Sequence, residues 1–310
     1  MNDLLHVPLF SRLDDWVGAW LMEPTRFAAV WQSATRMDWA RHMAEPLDPR
    51  SVAEKIPAAA GKTVAIVRLT GMLMKSQPSM GGTSTIQARR DLRQAAADPD
   101  VTAIVLAIDS PGGTVAGTSD LAADVAAARK SKPVLAHIDD LGASAAYWVA
   151  SQADKITANS PTALIGSIGT LQVVYDQSAA AEKEGIRTLV FRTGPLKGLG
   201  TPGAPVTDEQ AAHIQSLVDS IQQSFDAGVM KGRGLSASEL ANVRHGGVMT
   251  ATAALNARLI DAIQPLSKTI ADAIKPPKQT ARMESEIRST NFPTIRHGGL
   301  PMLATSGENR

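Results

Sequence analysis

Two apolar, β-branched runs each stop at a turn-forming motif and resume as an alanine-rich helical pattern. This repeated strand-turn-helix signature constrains the chain more than any other feature. Val101-Thr102-Ala103-Ile104-Val105-Leu106-Ala107-Ile108 leads into Asp109-Ser110-Pro111-Gly112-Gly113, and Pro133-Val134-Leu135-Ala136-His137-Ile138 leads towards Gly142-Ala143-Ser144-Ala145-Ala146-Tyr147-Trp148. Continuous apolar runs of this length read as buried parallel strands. The stretches Leu121 to Lys130 and Ala145 to Ser151 read as the helices that follow. A glycine turn lets backbone N–H groups approach a substrate closely, and a helix N-terminus adds a dipole that favours developing negative charge. The pair predicts a serine nucleophile, Ser144, facing an oxyanion hole. Its donors are expected to be the N–H groups of Gly113 and Ala145, with Gly112 making the turn.

These residues resemble the signal peptide peptidase A family of serine peptidases, including its phage capsid-maturation branch. The resemblance runs from about Thr63 to Ile263. It takes in Val64-Ala65-Ile66-Val67-Arg68-Leu69-Thr70-Gly71, the two motifs above, Pro161 to Gly169, and Thr193-Gly194-Pro195-Leu196-Lys197-Gly198-Leu199-Gly200. A closing element follows in Gly247-Val248-Met249-Thr250 and Leu259-Ile260-Asp261, where Asn256-Ala257-Arg258 stands in place of the usual glycine. The resemblance implies an α/β fold of the Clp protease/crotonase type, with a repeated ββα superhelical core and an N-terminal helical lead-in. It also implies that Lys197 is the catalytic lysine; Ser167 reads either as a residue that orients it or as a structural loop serine.

Lysine accepts a serine proton only if its surroundings depress its pKa towards neutrality. Lys197 lies among glycines and apolar residues with few acidic neighbours, whereas Lys155 directly follows Asp154 and reads as solvated. His137 is the rival base, because a Ser-His pair is the commoner solution. It sits seven residues before Ser144, roughly 20 Å back along an extended strand unless Asp139-Asp140-Leu141-Gly142 turns. The remaining histidines, His6, His42, His213, His245 and His297, have no metal-ligand spacing, so neither metal nor cofactor is expected.

Composition narrows the partners. The 310 residues are 44% hydrophobic and 20% charged, which suits one sizeable domain with appended segments. Thirty-one basic residues against 30 acidic ones leave a formal charge of +1, so no global field draws the chain to nucleic acid or an anionic membrane. Without cysteine there is no disulfide and no thiolate chemistry. No run of about twenty apolar residues could span a bilayer. The expectation is a soluble, cytoplasmic protein with no integral membrane segment, in its phage form one that works inside an assembling procapsid.

Three parts are expected: residues 1–57 as the helical lead-in, 58–265 as the catalytic domain and 266–310 as a flexible tail. The lead-in holds four of the five tryptophans, Trp16, Trp20, Trp31 and Trp39. Trp16 and Trp20 are one helical step apart, and Pro24 through Arg41 has an amphipathic pattern. Such a segment either packs on its own domain or docks on a neighbouring subunit, scaffold or capsid protein.

The first functional reading is a serine endopeptidase with a Ser144-Lys197 dyad, a homo-oligomer acting on peptides or unfolded proteins in capsid maturation. Cellular degradation of signal peptides is its alternative setting. A crotonase-like acyl-CoA enzyme would use the same fold without needing Ser144 or Lys197, and a non-catalytic assembly protein would need neither chemistry.

Overall fold

The computed structural model describes residues 18–36, 53–58, 62–78 and 81–274. Trp16, Trp39 and the segment 275–310 lie outside the described residues. The strands are β1 (Trp20–Met22), β2 (Ala53–Pro57), β3 (Thr63–Thr70), β4 (Met72–Met74), β5 (Gly82–Ser84), β6 (Val101–Ser110), β7 (Gly112–Thr114), β8 (Val134–Ala143), β9 (Lys155–Ala158), β10 (Leu164–Gly166), β11 (Val248–Thr250) and β12 (Ala262–Ile263). The helices are α1 (Pro24–Thr35), α2 (Thr85–Ala97), α3 (Thr118–Ala128), α4 (Ala145–Ala150), α5 (Ser178–Lys183), α6 (Asp208–Arg233), α7 (Ala237–Ala241), α8 (Ala251–Asn256) and α9 (Leu266–Ile274).

Parallel pairing of β3, β6 and β8 forms the centre of the larger sheet, with β2 antiparallel at one side and β10 and β11 continuing the other. The smaller sheet has the order β1-β7-β4-β5. The chain passes between the sheets at Pro111, directly after β6. Ile104, Leu106 and Ile108 of β6 face a core that includes Leu92 of α2 and Leu121 and Val125 of α3. The opposite face carries Val64, Ile66, Ala103, Val105 and Leu135, and Ala273 of α9 packs against it. A sheet covered on both faces needs uninterrupted apolar strands, which is why β6 shows no alternation. Each fully buried Ile or Leu contributes about 1.5–3 kcal/mol.

Four local expectations change. Trp20 is in a strand rather than a helix, because Pro24 starts α1 and forces Glu23 into an extended conformation (ψ 128°). The lead-in also contributes β2, an edge strand of the main sheet. Residues 266–274 are not tail: Leu266, Ile270 and Ala273 form a helical stripe on the sheet. Finally, β8 continues to Ala143 but bulges at Asp139-Asp140-Leu141: it takes four residues from Ile138 to Gly142 where β6 takes two, and a Cβ on Gly142 would lie 2.7 Å from the Ile138 side chain. At the missing glycine of the closing element, Arg258 itself adopts φ +61°. Its strained carbonyl accepts two bonds from Arg233, which also grips Asp261.

Candidate active site

Neighbouring parallel strands bring the two motifs together. β6 and β8 run side by side, and a bulge after Ile108 shifts the register so that Ser110 pairs with Gly142. The glycine turn and the serine thus leave the same end of the sheet, where open α/β folds place their sites. Ser110 fastens the turn: its hydroxyl donates to Gly71 O at 2.6 Å and accepts from Gly112 N–H at 3.2 Å.

Ser144 occupies the junction of β8 and α4 with φ +55° and ψ −118°, a conformation that a non-glycine residue rarely holds. Its N–H donates to Gly166 O at 2.7 Å and its carbonyl accepts from Trp148 N–H at 2.9 Å, so the backbone is held from both sides. The residue is fully buried and its Oγ has no hydrogen-bond partner. Leaving a buried hydroxyl unpaired is destabilising, and such exceptions gather at functional sites. Helix α4 is fixed in turn by Tyr147, whose hydroxyl donates to Leu259 O, and by Trp148, stacked on Phe225 of α6 at 5.0 Å.

Gly112 has φ +99°, and a Cβ there would lie 2.9 Å from Ser144 Cβ, so the turn and the serine are in contact. Its N–H is engaged by Ser110. For Gly113 the ladder decides: Glu23 N–H donates to Pro111 O and Val115 N–H to Ala19 O, so alternation makes Leu21 and Gly113 the hydrogen-bonded pair between them. Gly113 N–H therefore points at the carbonyl of Leu21. Ala145, the first residue of α4, has an N–H that no intrahelical carbonyl can accept.

Lys197 is not joined to this group. It is exposed, in an irregular stretch between α5 and α6, and among the described residues its ammonium makes no hydrogen bond or ion pair. Ser144 Oγ, lacking any partner, does not contact it. The same segment also exposes apolar side chains: Ile186, Leu189 and Leu196 are exposed, and Phe191 is 93% exposed. Two residues after Lys197, Leu199 lines a 450 Å³ cavity with Trp20, Phe27 and Trp31. Ser167 also stands apart from Lys197, at φ +50°, donating to Gly246 O at 3.0 Å.

His137 lies in mid-strand, with Nδ1 2.9 Å from Thr157 Oγ1 and 3.3 Å from Thr269 Oγ1. Burial lowers its pKa despite the opposing charge of Asp139. Its Nε2 is buried without a hydrogen-bond partner and does not bond Ser144 Oγ, which also has none. Lys155, in β9, pairs with Asp272 at 3.3 Å.

Sequence reasoning missed the polar setting of the turn. Asp109 has its pKa raised by burial, then by the charges of Asp139 and Asp140. Asp109 and Asp140 line an 880 Å³ cleft whose other wall includes Glu23 and Arg26 of the lead-in. Burial alone would raise Glu23, but bonds from Thr25 and from Arg26 N–H outweigh it and hold the carboxyl below its ordinary value. The Glu-Pro step at a helix start was the available signal for this cap.

Comparison with known proteins supplies the family. Capsid assembly protease C of Escherichia phage lambda is 32% identical over 259 residues, covering 79% of this chain and 58% of its own. Protease 4 of Salmonella typhi is 29% identical over 220 residues, 71% of this chain and 35% of its own. The chain thus spans less than two thirds of the length of either relative. Among solved structures, an enoyl-CoA hydratase/isomerase family member aligns over 76% of both chains with 15% identity and a TM-score of 0.39, too slight a likeness to carry weight. Residues 126–280, which hold Ser144, Ser167, Lys197 and the closing Leu259-Ile260-Asp261 element, match the model of peptidase family S49, and the chain belongs to that family.

Proposed function

We propose that this protein is a serine endopeptidase in which Ser144 is the nucleophile and Lys197 the base. The observation that carries the reading is the buried, unpaired Oγ of Ser144, held at positive φ against the Gly112 turn. Ser144 Oγ attacks the peptide carbonyl carbon while its proton passes to the neutral amine of Lys197. The oxyanion takes the N–H groups of Gly113 and Ala145, with Gly112 shaping the turn. Cleavage of the C–N bond returns that proton to the departing amine, and water, deprotonated by Lys197, then releases the acyl group.

The exposure of Lys197, in the same irregular segment as the exposed Phe191 and Leu189, favours a base supplied across an interface between copies. An assembled homo-oligomer would bury this apolar surface and desolvate the ammonium. Ser167 would orient the lysine there. Extended peptides or unfolded proteins are the substrates such a cleft accepts. The similarity to the lambda capsid assembly protease supports a role in phage or prophage capsid maturation, with a capsid or scaffold protein as partner. The decisive experiment is fluorophosphonate labelling of the assembled protein: wild type should be labelled and Ser144→Ala should not. Equal labelling of both would exclude Ser144 as the nucleophile.

A further inference from the structure

Strand β1 lies directly against the turn that carries the proposed oxyanion donor Gly113. One of its edges pairs antiparallel with Gly112–Thr114, the segment that supplies the oxyanion turn. Along its other edge, Trp20 N–H donates to Leu171 O at 2.8 Å and Trp20 O accepts from Leu171 N–H at 3.0 Å. The Leu21 carbonyl meets Gly113 N–H. A Cβ on Gly112 would stand 2.1 Å from that carbonyl oxygen and 2.9 Å from Ser144 Cβ, so carbonyl and nucleophile share one contact shell. The side chains alternate as on any strand. Leu21 is buried in the main core with Leu73, Ala145 and Ala146, while Trp20 and Met22 pack with Phe27, Met72 and Met74.

With a carbonyl already on the oxyanion donor, no second carbonyl can reach Ser144. We propose that Trp20–Met22 is a built-in substrate mimic that closes the peptide cleft. Peptides enter by displacing β1 and adopting its antiparallel register, with an aliphatic side chain in the space now filled by Leu21. Main-chain pairing then supplies affinity and the Leu21 pocket supplies selectivity. This inference rests on reading Gly112, Gly113 and Ser144 as the peptide-bond site. It adds the occupant and the side-chain preference.

The test uses full-length Ser144→Ala protein and a fluorescein-labelled peptide of residues 19–24. Adding Trp20→Ala and Met22→Ala removes the anchors of β1, raises the open fraction and should tighten apparent peptide binding on the order of 10-fold. Replacing leucine by aspartate in the peptide should abolish binding. Should the triple variant not fold, hydrogen exchange on Ser144→Ala alone decides: saturating peptide should unprotect the amides of Trp20–Met22 while Gly113 N–H stays protected. Tighter binding without hydrolysis by the Ser144-containing protein would uphold the occluded cleft and refute the peptidase reading. Unchanged affinity in the folded variant, or β1 amides that remain protected while peptide is bound, would overturn the proposal.

Discussion

Replacing Gly112 by alanine tests the contact between the turn and Ser144 most directly. The position has φ +99°, which an L-residue occupies only under strain of about 1–2 kcal/mol. The added Cβ would stand 2.1 Å from Leu21 O, 2.9 Å from Ser144 Cβ and 3.0 Å from Ala143 O. Two of those atoms are backbone oxygens in paired strands, so relief requires moving β1 or the end of β8. Overpacking of this kind adds about 1–3 kcal/mol. The two effects together give roughly 2–5 kcal/mol, or a fall in Tm of roughly 4–20 °C. Gly185→Ala is the control: it has φ +72° but no atom within 4 Å, so only the backbone strain applies. Urea unfolding of both variants, with fluorophosphonate labelling at a temperature where each is folded, separates strain from contact. Gly112→Ala should lose more stability than Gly185→Ala and also lose labelling. Equal stability losses, with labelling retained, would refute the close approach of Gly112 to Ser144.

Lys197→Met and Ser144→Ala should each be inactive and folded. If the base crosses an interface, co-assembly of the two variants should restore about a quarter of wild-type hydrolysis by random assortment, whereas a dyad within one copy predicts no more from mixed assemblies than from either alone. His137→Gln should keep its Ser144 labelling. Because burial depresses the His137 pKa, the stability it contributes is complete above its unfolded value of 6.5 and is lost as pH falls towards the lower folded value. Denaturation curves across that range should show the loss in wild type and a smaller one in His137→Gln. Asp261→Asn weakens the paired contacts with Arg233 at 2.7 and 3.0 Å and should cost about 1.5–3 kcal/mol by urea unfolding, without changing the labelling chemistry of Ser144.

The sequence determined the central strands β6 and β8, the glycine turn and the junction that carries Ser144, because each is written in local chemistry. An apolar run of eight residues has to be buried on both faces, as β6 is, and glycine is the residue that tolerates φ +99° at the Gly112 turn. The stripe Leu266, Ile270, Ala273 was equally local, but its prolines and polar neighbours made it read as tail until the uncovered face of the sheet required a helix. Tertiary structure alone decided the rest. Lys197 falls in an irregular, exposed segment between α5 and α6 and makes no bond to Ser144 Oγ, and no residue pattern encodes that separation. Trp20–Met22 is too short for any periodicity to mark it as a strand. Its place beside Gly113 follows from long-range pairing between residues some ninety positions apart, where hydrogen-bond register rather than local propensity sets the outcome.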